Sequence, residues 1–297
     1  MKRKWCAKVQ KYEQNINLLF SHIYGRWKME PKVVVITGAS SGIGRALAQE
    51  YAKRGWCLAL LARNLDKLLQ LKNELSEKAS KILCLSTDVS KEEDCKEAIK
   101  EIIATYGRID VLINNAGVSM RALFKDVDLD VIRRLMDVNF WGTVYCTKYA
   151  LPSLLANKGS VVGIVSIAAY IGLPGRTGYS ASKFAIRGFL ETLRTENLRT
   201  GLHVLVAAPG FTATNIRSTA LLADGSQQGQ SPRDEGKMMT AAQVAKKVVK
   251  AIDKRKKTLI LTFWEGKFTV FLQKFFPALV ERLTFAHMAK EPDSPFK

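Results

Sequence analysis

The run Val33-Val34-Val35-Ile36 puts apolar, β-branched side chains on both faces of a strand, and such a strand has to be covered from both sides. Similar runs return as Leu58-Ala59-Leu60-Leu61, Ile82-Leu83-Cys84-Leu85, Val111-Leu112-Ile113, Val161-Val162-Gly163-Ile164-Val165, Val204-Leu205-Val206 and Leu259-Ile260-Leu261. Most are separated by amphipathic stretches of helix length: Gly44 to Arg54, Leu65 to Lys78, Glu92 to Tyr106, Asp130 to Leu155 and Tyr179 to Arg199. Thr240 with Gln243 makes a capping box that opens another, ending near Lys254. The alternation predicts an α/β fold, a doubly wound, seven-stranded parallel sheet with helices on both faces. Phe211 to Met239 breaks this rhythm with Gly225, Gly229, Pro232 and Gly236, as a binding loop would.

Composition narrows the setting. The 297 residues suit one such domain with appendages, and no stretch reaches the ~18 apolar residues of a membrane span. Cys6, Cys57, Cys84, Cys95 and Cys146 are scattered, without a C-x-x-C pair, which argues for reduced thiols and a cytoplasmic setting. His22, His203 and His287 lack ligand-like spacing, so no metal is expected. The net charge of +19 gathers partly in Lys2-Arg3-Lys4 and Lys254-Arg255-Lys256-Lys257. No nucleic-acid-binding signature accompanies it, which leaves solvated faces or contact with an anionic membrane surface. In residues 1–30 the apolar run Leu18-Leu19-Phe20 is too short for a secretion signal. That basic extension reads as a peripheral helix or as sequence upstream of a start at Met29.

Two groupings carry chemistry. After the first strand comes Thr37-Gly38-Ala39-Ser40-Ser41-Gly42-Ile43-Gly44, where glycines permit a sharp turn and close approach of a pyrophosphate to a helix N-terminus. Farther on, Tyr179-Ser-Ala-Ser-Lys183 sets a phenol and an ammonium four residues apart on one helix face. With Asp88-Val89, Asn114-Asn115-Ala116-Gly117, Asn139, Ser166 and Pro209-Gly210 in order, the chain resembles the short-chain dehydrogenase/reductase family from about Lys32 to Lys254. Taken singly, Ser166 could cap a turn, Tyr179 anchor a surface, Lys183 be a solvated charge and Asn139 bend a helix.

The resemblance implies a Rossmann-type domain over 31–263, with a substrate loop at 211–239, and a hydride-transfer enzyme. Tyr179 would give the proton, Ser166 would hydrogen-bond the substrate oxygen, Lys183 would favour the tyrosinate and hold the nicotinamide ribose, and Asn139 would position a proton-relay water. Thr37, Gly38, Ser40, Ser41, Gly42, Ile43, Gly44, Asp88, Val89, Asn115, Ala116, Gly117, Pro209, Gly210, Thr212 and Thr214 would line the cofactor. Ala62 stands where NAD-preferring members carry aspartate, and Arg63 follows, suited to a 2′-phosphate, so NADP(H) is expected. Apolar residues such as Ile167, Ile171, Leu173, Phe211, Leu221 and Met238 would wall the pocket, pointing to a hydrophobic, steroid- or lipid-like ketone or its alcohol. A 3-oxoacyl reductase and a non-catalytic NADP(H)-binding sensor are the alternatives. In 264–297, Phe268, Phe271, Leu272, Phe275, Leu279 and Leu283 recur at helical spacing. They predict an amphipathic helix that is either a lid or dimer contact or a peripheral membrane contact. The long helices that begin near Asp130 and Tyr179 are the pair such proteins use to form a homo-oligomer, a dimer or tetramer.

Overall fold

The computed structural model describes residues 31–292 and 294–296. The expectations about residues 1–30, including His22 and Cys6, lie outside them. The strands are β1 (Val33–Thr37), β2 (Cys57–Ala62), β3 (Lys81–Ser86), β4 (Val111–Asn114), β5 (Ser160–Ile164), β6 (His203–Ala208), β7 (Thr212–Ala213), β8 (Met239–Thr240) and β9 (Thr258–Ile260). Seven of them form one parallel sheet in the order β3-β2-β1-β4-β5-β6-β9.

The helices are α1 (Gly42–Ala52), α2 (Leu65–Leu75), α3 (Glu92–Tyr106), α4 (Leu129–Leu135), α5 (Gly142–Ala156), α6 (Thr177–Glu196), α7 (Ala241–Asp253), α8 (Thr269–Phe275) and α9 (Pro277–Ala289). The period-2 geometry of β1 divides its side chains between two cores. Val33 and Val35 join the layer with α3, α5 and α6, while Val34 and Ile36 join that with α1, α2 and α7. Every residue of β1 and β2 is buried, but edge strand β3 is only half covered. The capping box at Thr240 opens α7 as the sequence predicts.

Two expected helices are interrupted. The stretch Asp130 to Leu155 is not continuous α-helix, because a π-helical turn at Met136–Trp141 separates α4 from α5. The extra residue per turn shifts the helix register at Asn139. The C-terminal stripe forms a π-helical turn (Phe263–Phe268), then α8 and α9, with the chain breaking at Phe276 just before Pro277. Its buried hydrophobic side chains are Val270, Val280 and Met288, whereas Phe268, Phe271, Phe275, Leu279 and Leu283 face outward. The expected apolar face is therefore not buried in its own chain. The loop from Phe211 to Met239 is closed at its base by the parallel β7–β8 pair, Thr212 opposite Met239 and Ala213 opposite Thr240.

Because β1 pairs with β2 on one side and β4 on the other, the chain reverses winding direction between β1 and β4. That switch opens a crevice at the strands' carboxyl ends, the place where open α/β sheets take ligands.

Candidate active site

The crevice floor is the glycine turn, and its shape comes from interlocking. Thr37 Oγ1 accepts the backbone N–H groups of Asn115 (2.9 Å) and Ala116 (3.0 Å). Asn115 Nδ2 donates to the carbonyls of Thr37 (3.0 Å) and Gly38 (3.2 Å). Gly38 has φ +64°, and a Cβ there would come within 2.9 Å of the Ala116 Cα. A Cβ on Gly44 would fall against the Gly38 carbonyl oxygen. These glycines are required by close backbone approach.

Helix α1 begins at this turn with Ser41 as N-cap, making no side-chain cap, and with no acidic residue in its first turn. Its leading N–H donors and positive dipole end suit an anion such as a pyrophosphate. Thr214 lies beside Gly42, so the start of the substrate loop reaches the turn. Ser40 and Ile43 occupy the turn and the first helical turn, as expected.

At the other end of the crevice a cavity of about 330 Å³ is lined by Arg63, Asp88 and Ser90, and by Asp130, Arg133, Arg134, Asp137 and Val138 across from them. The Arg63 side chain is exposed and has no partner among the described residues. Asp88 spends one carboxylate oxygen on an Asx turn, accepting from the backbone N–H (3.1 Å) and hydroxyl (2.8 Å) of Ser90. Val89 is buried in the core, packed against Gly142. Thr212 Oγ1 donates to the Gly210 carbonyl (3.0 Å), bracing the Pro209-Gly210 corner.

The residues expected to deliver the proton come together in the more buried half of the crevice. Tyr179, Ser182 and Lys183 lie on α6, and Ser166 precedes the short 3₁₀ turn Ile167–Ala169, whose Ala168 N–H it caps at 3.2 Å. Asn139 is fully buried: its Oδ1 accepts from Val118 N–H (2.8 Å), and its Nδ2 donates to Val118 O (3.0 Å) and Ser182 Oγ (2.9 Å). A Cβ on Gly117 would meet both Asn139 Oδ1 (3.1 Å) and Lys183 Nζ (3.3 Å). The loop after β4 is thus clamped between the π-helical turn and α6.

Electrostatics here are set by burial. Burial pushes the Tyr179 phenol above its usual range, while Ser166 and then the charges of Arg176 and Arg217 pull it back. Lys183 is 3% exposed and burial pushes its ammonium down to about 8. Its Nζ donates to the Ile164 carbonyl (3.1 Å) and stands 5.6 Å from the Tyr179 ring centre. The groups that counter burial at the phenol are therefore Ser166 and two arginines that the motif does not contain. Arg176 lies three residues before Tyr179, but Arg217 comes from the substrate loop, and only the fold brings it near.

Comparison with known proteins agrees with this geometry. The family described as short chain dehydrogenase matches residues 32–223. Dehydrogenase/reductase SDR family member 7B of Mus musculus is 35% identical over 281 residues, covering 93% of this chain and 87% of the relative. An 11-beta-hydroxysteroid dehydrogenase 1A of Arabidopsis thaliana is 40% identical over 200 residues, covering 67% of this chain and 57% of its own. Among solved structures, a short-chain dehydrogenase from Streptomyces avermitilis superposes with a TM-score of 0.73 at 28% identity, covering 86% of this chain and 96% of its own. An alcohol dehydrogenase from Thermococcus sibiricus, solved with 5-hydroxy-NADP, gives 0.69 at 28%, covering 78% and 96%. With the glycine turn, the Tyr-Lys helix and six of the seven strands of the sheet inside the matched span, the chain belongs to the short-chain dehydrogenase family, oxidoreductases that act on small molecules with a nicotinamide cofactor.

Proposed function

We propose that the chain reduces a hydrophobic, steroid- or lipid-like ketone to a secondary alcohol with NADPH, and runs in reverse when NADP⁺ dominates. The observation that carries this is the gathering of half-buried Ser166 with buried Tyr179, Lys183 and Asn139 into one cluster. Tyr179 packs with Met120, Val131, Ala168 and Leu221, so the phenol opens onto an apolar wall. The Arabidopsis relatives named as hydroxysteroid dehydrogenases point to the same substrate class. The nicotinamide, when bound, supplies the hydride.

The chain's own residues handle the proton. The phenol stays protonated at neutral pH and gives its proton to the carbonyl oxygen, while Ser166 hydrogen-bonds that oxygen as its negative charge grows. Lys183 lies behind the phenol, and Asn139 holds the loop that walls it in. Thr37 through Gly44, Asn115 through Gly117, and Pro209 through Thr214 would hold the cofactor. Arg63, with Ala62 in place of an acid, selects the 2′-phosphate. NADPH oxidation against steroid ketones, 3-keto sphingoid bases and 3-oxoacyl thioesters tests this reading. Turnover of the thioesters alone would favour the oxoacyl-reductase alternative, and binding without turnover would favour the sensor.

The scattered thiols favour the cytoplasm. Trp141 and Phe184, exposed beside α5 and on α6, fit a homo-oligomer interface, which Phe184→Glu should weaken in sedimentation. Exposed Phe263, with Trp264 packed edge-on against it, lines a cavity of about 430 Å³ together with Lys247, Lys250, Lys254, Lys256 and Lys267, and Phe271 and Phe275 are exposed farther along the tail. That pairing suits peripheral contact with an anionic membrane. No helix among the described residues is long and apolar enough to cross one. Failure to float with anionic vesicles would remove this part of the reading.

A further inference from the structure

The segment after β4, the approach to α6 and the 211–239 loop supply four arginines around Tyr179 and the C-terminal tail. Arg217 is matched: it pairs with Glu235 (2.8 Å) and donates to the Thr212 carbonyl (2.8 Å). Arg121 after β4, Arg176 before α6 and Arg233 in the loop instead converge on one carboxylate, Glu291, beyond α9. Arg233 Nε stands 2.5 Å from Glu291 Oε1, while Arg121 Nε and Arg176 Nη2 stand 3.6 and 3.7 Å from Oε2. Their side chains are only 9% (Arg121), 11% (Arg176) and 15% (Arg233) exposed, against 4% for Glu291.

This is an under-filled site. Three guanidinium groups face one carboxylate, and only Arg233 is within hydrogen-bonding distance of it. The Nε–H of Arg121 is buried without any acceptor, although its Nη2 donates to the Pro292 carbonyl (2.5 Å). Arg233 is matched, its Nη1 lying 3.0 Å from His287 Nε2 and its Nη2 donating to the Met288 sulfur (3.4 Å), but a buried guanidinium donor left without an acceptor is costly, and a cluster built only to hold the tail would match all its donors. The cluster also borders the chemistry. Arg176 donates to the Met120 carbonyl (3.0 Å), Met120 packs with Tyr179, and Arg233 lies 3.9 Å over the Phe211 ring, next to Pro209-Gly210.

We propose that Arg121, Arg176 and Arg233 form an anion-binding subsite of the substrate pocket, filled by Glu291 in the free chain, and that the ketone carries a carboxylate or phosphate that displaces it. Planar guanidinium forks suit both groups, and three of them can serve more oxygens than one carboxylate presents. The substrate is then amphiphilic, with its apolar body against Met120 and Leu221 and its charged head under the tail. The proposal rests on the ketone-reductase reading.

Two measurements on the full chain separate the proposal from that reading. In calorimetry with inorganic phosphate at fixed ionic strength and saturating NADP⁺, Glu291→Gln should bind phosphate at least about tenfold more tightly than wild type, and adding Arg121→Met should abolish the gain. Equal affinity in wild type and Glu291→Gln overturns the subsite. In turnover, a long-chain oxo-acid or keto-alkyl phosphate should exceed the oxo-acid methyl ester about tenfold in kcat/KM, the better of the two naming the head group. Arg121→Met should lower kcat/KM for the anionic ketone more than for the ester. Equal use of acid, phosphate and ester overturns the proposal, and on the wild-type chain this comparison decides even where Glu291→Gln fails to fold. Turnover of none counts against the reductase reading, and phosphate binding then decides the subsite by itself.

Discussion

At the end of the crevice proposed to deliver the proton, Asn139 is wholly buried, Lys183 nearly so, and a methyl group on Gly117 would crowd both. At the adenosine end, Arg63 stands exposed beside an open cavity and Asp88 has committed only one carboxylate oxygen. One end is fixed by packing, so its polar groups have shifted ionisation and little freedom. The other is fixed by charge alone, so its preference can change without disturbing the core. On the proposed function, chemistry that needs a proton held in place is built into the core, and the choice of nucleotide is left on the surface.

The largest test of that contrast is Tyr179→Phe. It should cut kcat by ~10²–10⁴-fold or more while leaving cofactor affinity nearly unchanged, as read by steady-state kinetics and fluorescence titration. Residual activity near wild type would mean that the buried end does not deliver the proton.

Lys183 gives a pH signature next in size. Its ammonium is depressed from 10.5 to about 8, so the unfolded chain binds more protons between those values and wild-type stability rises with pH across that window. The cost is fully present below pH 8 and is on the order of 3 kcal/mol. Measured by urea denaturation, the stability of Lys183→Met relative to wild type should therefore decline between about pH 8 and pH 10.5. A difference independent of pH would show that the lysine is not buried as an ion.

Gly44→Ala adds a methyl group against the Gly38 carbonyl and should cost ~1–3 kcal/mol by thermal or chemical denaturation, with loss of dinucleotide affinity. Unchanged stability would show that the turn is looser than its contacts indicate.

At the open end, Arg63→Asp should raise the KM for NADPH ~10–100-fold and hardly alter that for NADH, the worth of one charged hydrogen-bonding group. The melting temperature should stay within a degree or so of wild type. Equal effects on both nucleotides, or a large drop in melting temperature, would erase the distinction between the ends.

How much of this was legible depended on whether a residue's role is local. The strands could be read because a parallel sheet buries both faces, and the capping box of α7 because its two partners lie three residues apart. The glycine turn could be read because its constraint on the backbone is short-range. The π-helical turn at Asn139 could not, since the hydrophobic period on either side survives one inserted register shift. Likewise the stripe at Phe268 to Leu283 gave the helical period but not which side would be covered, because that is decided by what the sheet leaves exposed. Arg217 shows the same limit: it reaches the surroundings of Tyr179 only through the fold, which no spacing in the sequence reveals.

The β7–β8 pair has a consequence for how such a chain can change over time. It joins the two ends of the excursion between Phe211 and Met239, outside the seven-stranded sheet, so the span between them begins and ends at one point. Lengthening a loop whose ends are already tied costs only about 0.6 kcal/mol per doubling. Insertions and deletions in the largely exposed stretch from Asp224 to Gln230 can therefore accumulate without passing through unfolded ancestors, whereas Leu221, buried beside Met120, keeps the base of the loop in place. The catalytic groups on α6 then inherit new substrates while the sheet that holds them stays unaltered.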